Sequence, residues 1–166
     1  MLHLYPKANF HLQDAEMSYA TGRCMCSPLL RRGYEVEDVL HLVRCVYCDR
    51  VHFHDASVEI TTGLTLHRVG GHTAGQQAVR VWTRRGWVVL ASDASHLYFN
   101  MESRAAFPSV YRVDEMMEGF RILHQLGEGD WNRVIPGHDP LVMARYPAPS
   151  PELEGIVVRL DVPPKL

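Results

Sequence analysis

Three metal-capable side chains, His72, Asp93 and His138, each stand just after a short apolar run, a repetition that points to strand ends. The contexts read LTLHRVGGHTAG, GWVVLASDASH and RVIPGHDP. In each, an extended hydrophobic stretch gives way to Gly or Ser and then to an imidazole or a carboxylate. An α/β sheet presents an active site in this way, with chemistry on the loops at its strand ends. Two neutral imidazoles and one carboxylate form an N/O donor set suited to Zn²⁺, Mn²⁺ or Fe²⁺. The glycines beside them let the backbone turn sharply near an ion. Taken singly, a loop His or Asp is more often solvated or capping than ligating, so the repeated pattern carries the expectation. Three protein ligands make a minimum site.

The rest of the composition narrows the class. A chain of 166 residues, 46% hydrophobic and 22% charged, is enough for one domain around one core. The net charge of −2 is spread over interspersed acidic and basic residues. That distribution lacks the basic stripe of a nucleic-acid binder and the polybasic patch of a membrane-surface protein. No apolar run approaches the roughly 20 residues needed to cross a bilayer, and the N-terminus lacks the charged-then-apolar order of a signal peptide. The expected partner is a small molecule, not nucleic acid and not a membrane. A homodimer would cover an exposed strand edge, although no heptad or separate interaction helix argues for one.

Periodicity outlines the elements. Val36, Val39, Leu40, Val43 and Val46 predict a helix over 35–47, and Met116, Phe120 and Leu123 another over 115–126, with Asp114 as N-cap and Gly127 as C-cap. Between them, 58–60, 64–69, 78–83 and 87–91 read as strands, with Thr83-Arg84-Arg85-Gly86 a hairpin turn. The proline-rich stretch from Pro147 to Pro151 reads as a surface connection. The pattern alone says α plus β.

Cys24 and Cys26 form a CxC, and Cys45 and Cys48 a CxxC; four thiolates are one way to hold structural zinc. Cys45 and Cys48 fall towards the end of an expected helix, away from the N-terminus that would lower a redox thiol's pKa and without the glycine turns of a zinc ribbon. Four reduced, partly buried thiols are the favoured reading, and they fit a cytoplasmic location better than an oxidising one. His41 and His124 sit on predicted helices and read as structural. His67, on a strand, reads as bound to solvent or backbone. His3 and His11 lie near the start with no ligand spacing.

GGHTAG, SDASH and PGHD, in this order and spacing, resemble the later motifs of the metallo-β-lactamase superfamily, and in particular of its N-acyl-homoserine lactonases. FHLQDAEMSYATG near the start and GHDPLVMARYPAPSPELEG near the end resemble the same branch, so the likeness covers almost the whole chain. It implies an α/β (α+β) fold, the metallo-β-lactamase-like αββα sandwich. The superfamily's HxHxDH motif, which supplies four further ligand positions, is missing and would lie upstream of residue 1. Residues 1–166 are then expected to be a partial domain, the C-terminal part of a longer enzyme. His52-Phe53-His54-Asp55 imitates the motif, but Ala56 and Ser57 stand where it needs Asp and His, and the segment comes too late in the family order. It reads instead as an exposed strand or turn carrying two histidines.

By position, the resemblance gives His72 to a first metal, His138 to a second, and makes Asp93 the bridge between them and the catalytic residue that fixes their separation. It implies two divalent ions, zinc first with manganese or iron as alternatives. A metal-bound hydroxide would attack the lactone carbonyl, which is quorum-quenching chemistry. Lactonases of this family place a Tyr three residues after the bridging Asp, where this chain has His96, with Tyr98 two residues further on. Both are candidate substrate-binding donors. Phe99, Met101 and Phe107 are candidates for an acyl groove, with plain core or lid the favoured reading. Hydrolysis of a thioester or another ester is the same-fold alternative. A non-catalytic remnant or metal-binding partner chain is the other, and the fragment alone is expected to be inactive.

Overall fold

The computed structural model describes residues 5–165, so His3 lies outside the described residues. Two sheets carry the architecture. Strands β1 (Phe10–Gln13) and β2 (Val51–His54) form a parallel pair, with α1 (Asp14–Thr21) and α2 (Val36–Tyr47) between them in the chain. Strands β3 (Val58–Thr61), β4 (Leu64–Arg68), β5 (Gln77–Thr83), β6 (Gly86–Ser92) and β7 (Val134–Pro136) form the larger sheet in that spatial order. Its pairs are antiparallel except β6–β7, which is parallel and is linked through α3 (Tyr98–Ser103) and α4 (Val113–Leu126). A short helix, α5 (Leu141–Arg145), follows β7.

Alternation along β6 supplies both cores. Val89 and Ala91 face one side, where they join Ala78, Val134, Met101, Phe107 and the α4 residues Met116, Phe120 and Leu123. Val88 faces the other side with Ile135 and Tyr146, backed by Leu90 and Leu160. A strand buried on both faces needs a continuous apolar run, and WVVLA is one. The tight β5–β6 hairpin closes where expected, with Thr83 opposite Gly86 and Gly86 at φ +90.

Helix α4 packs the apolar stripe expected of it, but Asp114 is not its N-cap. Arg112 holds that position in an extended conformation, and Asp114 sits in the first turn, where its carboxylate pairs with the Arg112 guanidinium at 2.6 Å. An acid there is stabilised by the helix dipole without capping a backbone N–H. Gly127 ends the helix as expected, donating to the Leu123 carbonyl at 2.9 Å. The Arg80 guanidinium donates to the Leu126 carbonyl at 2.8 Å, a cation at the negative helix end. Helix α2 matches its predicted span, yet buries only Cys45 and leaves Val36 and Leu40 exposed. Among the described residues no helix is long and apolar enough to cross a membrane.

Candidate metal centre

Strand direction decides where the three predicted ligands go. Strands β4 and β6 are both antiparallel to β5, hence parallel to each other, and β7 is parallel to β6. The C-terminal ends of β4, β6 and β7 therefore share one rim, and His72, Asp93 and His138 all leave from it.

Each loop is fixed by backbone hydrogen bonds. After β4, the Val69 and Gly70 N–H groups both donate to the Gln76 carbonyl, at 2.7 and 3.0 Å, closing the loop that holds His72. Glu16 of α1 pins the same loop from outside, its carboxylate accepting from the Thr73 hydroxyl at 2.6 Å, the Gly75 N–H at 3.0 Å and the Tyr34 hydroxyl. Burial, reinforced by that bond to Glu16, pushes the Tyr34 phenol well above the ordinary tyrosine value. After β6, Ser92 adopts a left-handed φ of +47 and turns the chain into Asp93. After β7, the Gly137 and His138 N–H groups donate to the carbonyls of Ser95 and His96, each at 3.0 Å, stitching this loop to the β6 loop. Asp139 adds a second seam, accepting from the Tyr98 N–H and the Leu141 N–H, both at 2.9 Å.

The side chains then converge. His72 Nδ1 lies 2.7 Å from the Ser109 carbonyl oxygen. A carbonyl only accepts, so Nδ1 carries a proton, and in the neutral ring Nε2 keeps the lone pair, the tautomer in which Nε2 can ligate a metal. Asp93 Oδ1 lies 2.5 Å from His138 Nε2 and 3.5 Å from His96 Nε2. The His96 ring stacks on Phe107 with centroids 3.8 Å apart and stands edge-on to His138 at 4.6 Å. Its Nε2 is buried with no hydrogen-bond partner; the 3.5 Å separation from Asp93 is too long to serve as one. Burial lowers the His96 pKa below the ordinary value, the His138 charge adds to that, and Asp93 opposes it. One donor atom each from His72, Asp93 and His96 lie within 4.8 Å of one another. Two imidazole nitrogens and a carboxylate oxygen so placed fit a borderline divalent cation such as Zn²⁺.

The other sequence candidates separate. Tyr98 is 2% exposed, its ring in the core with the Arg145 guanidinium 3.9 Å above it, so it offers no surface to a substrate. Met101 and Phe107 are core residues, and Phe99 is exposed. The cysteines are all free. Among the described residues no group of three or more cysteines gathers at metal-binding distance; His72–Asp93–His96 is the group that does. His52 and His54 lie on strand β2 beside His11, whose Nδ1 is 2.9 Å from His54 Nε2, and none of the three belongs to the His72–Asp93–His96 group. His67 binds the hydroxyls of Thr65 and Ser57 rather than backbone. His124 packs on Trp131, the structural role expected of it.

Solved structures share this arrangement of elements. A B. thuringiensis AiiA variant with N-decanoyl-L-homoserine bound at its active site is 21% identical, with a TM-score of 0.68, over 86% of this chain and 52% of that one. AidC, a dizinc quorum-quenching lactonase in complex with a product, is 12% identical at a TM-score of 0.60, over 82% and 49%. AbOPH, a hydrolase in the β-lactamase superfamily, is 16% identical at 0.61, over 82% and 49%. The fold is of the metallo-β-lactamase type. The chain spans about half the length of these structures. No protein-family model and no curated protein sequence matches it.

On this metallo-β-lactamase framework a cleft of about 430 Å³ opens beside His72 and Asp93. Its apolar wall comes from Leu29, Leu30, Pro108 and Val110, and Tyr34 and Glu16 supply polar atoms. Sequence reasoning missed this wall, because Leu29 and Leu30 lie in an aperiodic stretch with no motif. It also missed Glu16, Ser109 and Asp139, which act on the rim only through the fold.

Proposed function

We propose that this chain carries the C-terminal share of the active site of a metal-dependent hydrolase whose substrate is a lactone of the N-acyl-homoserine class. The supporting observation is the convergence of His72, Asp93, His96 and His138 on one rim, beside a cleft with an apolar wall, in a fold that solved lactonases also adopt. The working complement is two divalent ions, zinc first. Such an ion lowers the pKa of a coordinated water from 15.7 to about 7 and polarises an ester carbonyl. The chain's own residues fix the geometry. Ser109 holds His72 in the ligating tautomer, and the stitched β6 and β7 loops hold Asp93 against His138. The apolar wall takes an acyl chain and lets the ring reach Asp93 and His72. Four free thiols favour a reducing compartment, and we place the protein in the cytoplasm.

The test is turnover. The purified chain, loaded with Zn²⁺, Mn²⁺ or Fe²⁺, is given N-hexanoyl-homoserine lactone and, separately, thioester and aryl-ester panels, with ring opening followed by proton release and chromatography. Lactone opening that stops with chelator and with Asp93→Ala supports the proposal. Turnover confined to thioesters or simple esters replaces the substrate class while keeping the hydrolase. Metal binding with no turnover by this chain alone is what a C-terminal share of a site gives, and the same result from the chain joined to a segment that supplies the HxHxDH ligands points to a non-catalytic metal-binding chain.

A further inference from the structure

Of the residues at the rim, His96 is the one that the likeness to lactonases does not explain. We propose that His96 is a metal ligand, its Nε2 completing with His72 and Asp93 a three-donor site built wholly from this chain. The inference rests on the metal-dependent reading above and extends it to a residue outside the expected ligand set.

Four observations carry it. The donor atoms of His72, Asp93 and His96 are mutually within 4.8 Å, a span that one cation between them can bridge. His96 Nε2 is buried and has no hydrogen-bond partner in either tautomer, whereas buried polar atoms ordinarily have one. What faces it is a carboxylate oxygen at 3.5 Å, and His72, whose Nδ1 is taken by the Ser109 carbonyl, keeps its Nε2 for a ligand. A cation between them gives the unpartnered His96 nitrogen and the carboxylate a shared partner, where neither lies at hydrogen-bond distance of the other. Finally, the ring cannot simply swing away. Phe107, 6% exposed, stacks on it at 3.8 Å and 19°, while His72 and His138 stand against its edges at 5.6 and 4.6 Å. A substrate-binding donor would need Nε2 open to the cleft, yet Nε2 is solvent-inaccessible and His96 is not among the residues lining the cleft.

The experiment reads the metal directly. Uniformly ¹⁵N-labelled chain is titrated with Zn²⁺ while the imidazole nitrogens are followed by long-range ¹H–¹⁵N correlation. In parallel, Co²⁺ affinity is measured from its visible d–d bands for wild type, His96→Ala, His96→Tyr and the distant control His124→Ala. The expected result is that the Nε2 resonances of His72 and His96 move together. Both His96 variants should lose at least about 10- to 100-fold in Co²⁺ affinity, since even residues that only support a ligand cost that much, and His124→Ala should lose nothing. Binding with an unmoved His96 Nε2, or with wild-type affinity in His96→Ala, overturns the assignment of His96 and leaves the metal-dependent hydrolase standing. No binding of either ion to wild type overturns both. The wild-type resonances decide the matter even where a variant fails to fold.

Discussion

Gly137→Ala is expected to destabilise the chain and loosen the rim, because the missing side chain is what lets two loops cross. A Cβ built on Gly137 falls 2.7 Å from the Ser92 carbonyl oxygen and 2.8 Å from its carbon, against about 3.4 Å for ordinary contact. Every colliding atom is backbone, so no side chain can swing away. The loops would have to part by about 0.7 Å, straining the Gly137–Ser95 and His138–His96 hydrogen bonds and a Ser92 already at φ +47. Overpacking of this kind costs about 1–3 kcal/mol. Replacing Gly by Ala also restricts the unfolded chain, which offsets about 0.4–1 kcal/mol. The net loss of roughly 1–2 kcal/mol corresponds to a Tm lower by about 2–8 °C for a chain of this size. Gly33→Ala is the control: nothing lies within 4 Å of its added Cβ, so Tm should hold or rise slightly. Both melts are read by far-UV circular dichroism, and Co²⁺ affinity should fall in Gly137→Ala as His138 moves off Asp93. If Gly137→Ala melts with or above Gly33→Ala, the loops do not cross as described.

Zinc at about 100 times its dissociation constant should stabilise the chain by about 2.7 kcal/mol, raising Tm by about 5–11 °C. Chelator or Asp93→Ala should abolish the rise, and a rise that survives Asp93→Ala would place the ion elsewhere. Glu16→Gln removes the charge that accepts from Thr73, Gly75 and Tyr34. The variant should lose about 1–3 kcal/mol, and the Tyr34 phenol should ionise at lower pH than in wild type when followed by phenolate absorbance; unchanged melting and titration would refute its role. The imidazoles of His11 and His67 both titrate below the ordinary 6.5, chiefly through burial. The unfolded chain then binds more protons than the folded one as pH falls through 6.5, so stability present above that pH is lost below it. Tm should be lower at pH 5.5 than at pH 8, with a shallower slope in His67→Gln; equal Tm values would refute the assignment.

The parts of the fold legible in the sequence are those set by local periodicity. WVVLA, with a hairpin turn before it, reads as a strand and proves to be buried on both faces, and the stripe through Met116, Phe120 and Leu123 reads as a helix and proves to pack on the core side of the sheet. What escaped depends on partners far along the chain. Strand β2 is short and half exposed, and it becomes a strand because Phe10–Gln13 lies parallel to it some forty residues earlier. Helix α3 has six residues, too few to display a period, and is held by Asn100 accepting from the Leu97 N–H and by Asp139 from the following loop. Asp114 looked like a cap because its residue type favours caps, yet Arg112, two residues earlier, starts the helix.

The same division runs through the site. A reader can see that three apolar runs are each followed by a metal-capable side chain, but not how far apart the ends lie. Strands β4 and β6 are separated by β5, hence by two strand spacings or about 10 Å, while donor atoms of His72 and Asp93 are within 4.8 Å. The loop through the Gly70–Gly71 turn makes up the difference. Both residues have positive φ, +74 and +88, and a Cβ on Gly71 would fall 2.6 Å from the Met116 backbone of α4. The two glycines in GGH thus do more than permit a bend near an ion. They let the loop lie flat against α4, and α4 lies there because its stripe seals the sheet. His96 escapes the pattern for a related reason: it follows no apolar run, and only the turn at Ser92 and the Phe107 ring from beyond α3 bring its nitrogen back to Asp93. Candidate donors announced by strand ends are visible in a sequence, whereas one returned by a loop becomes visible only once the core that presses on the loop is in place.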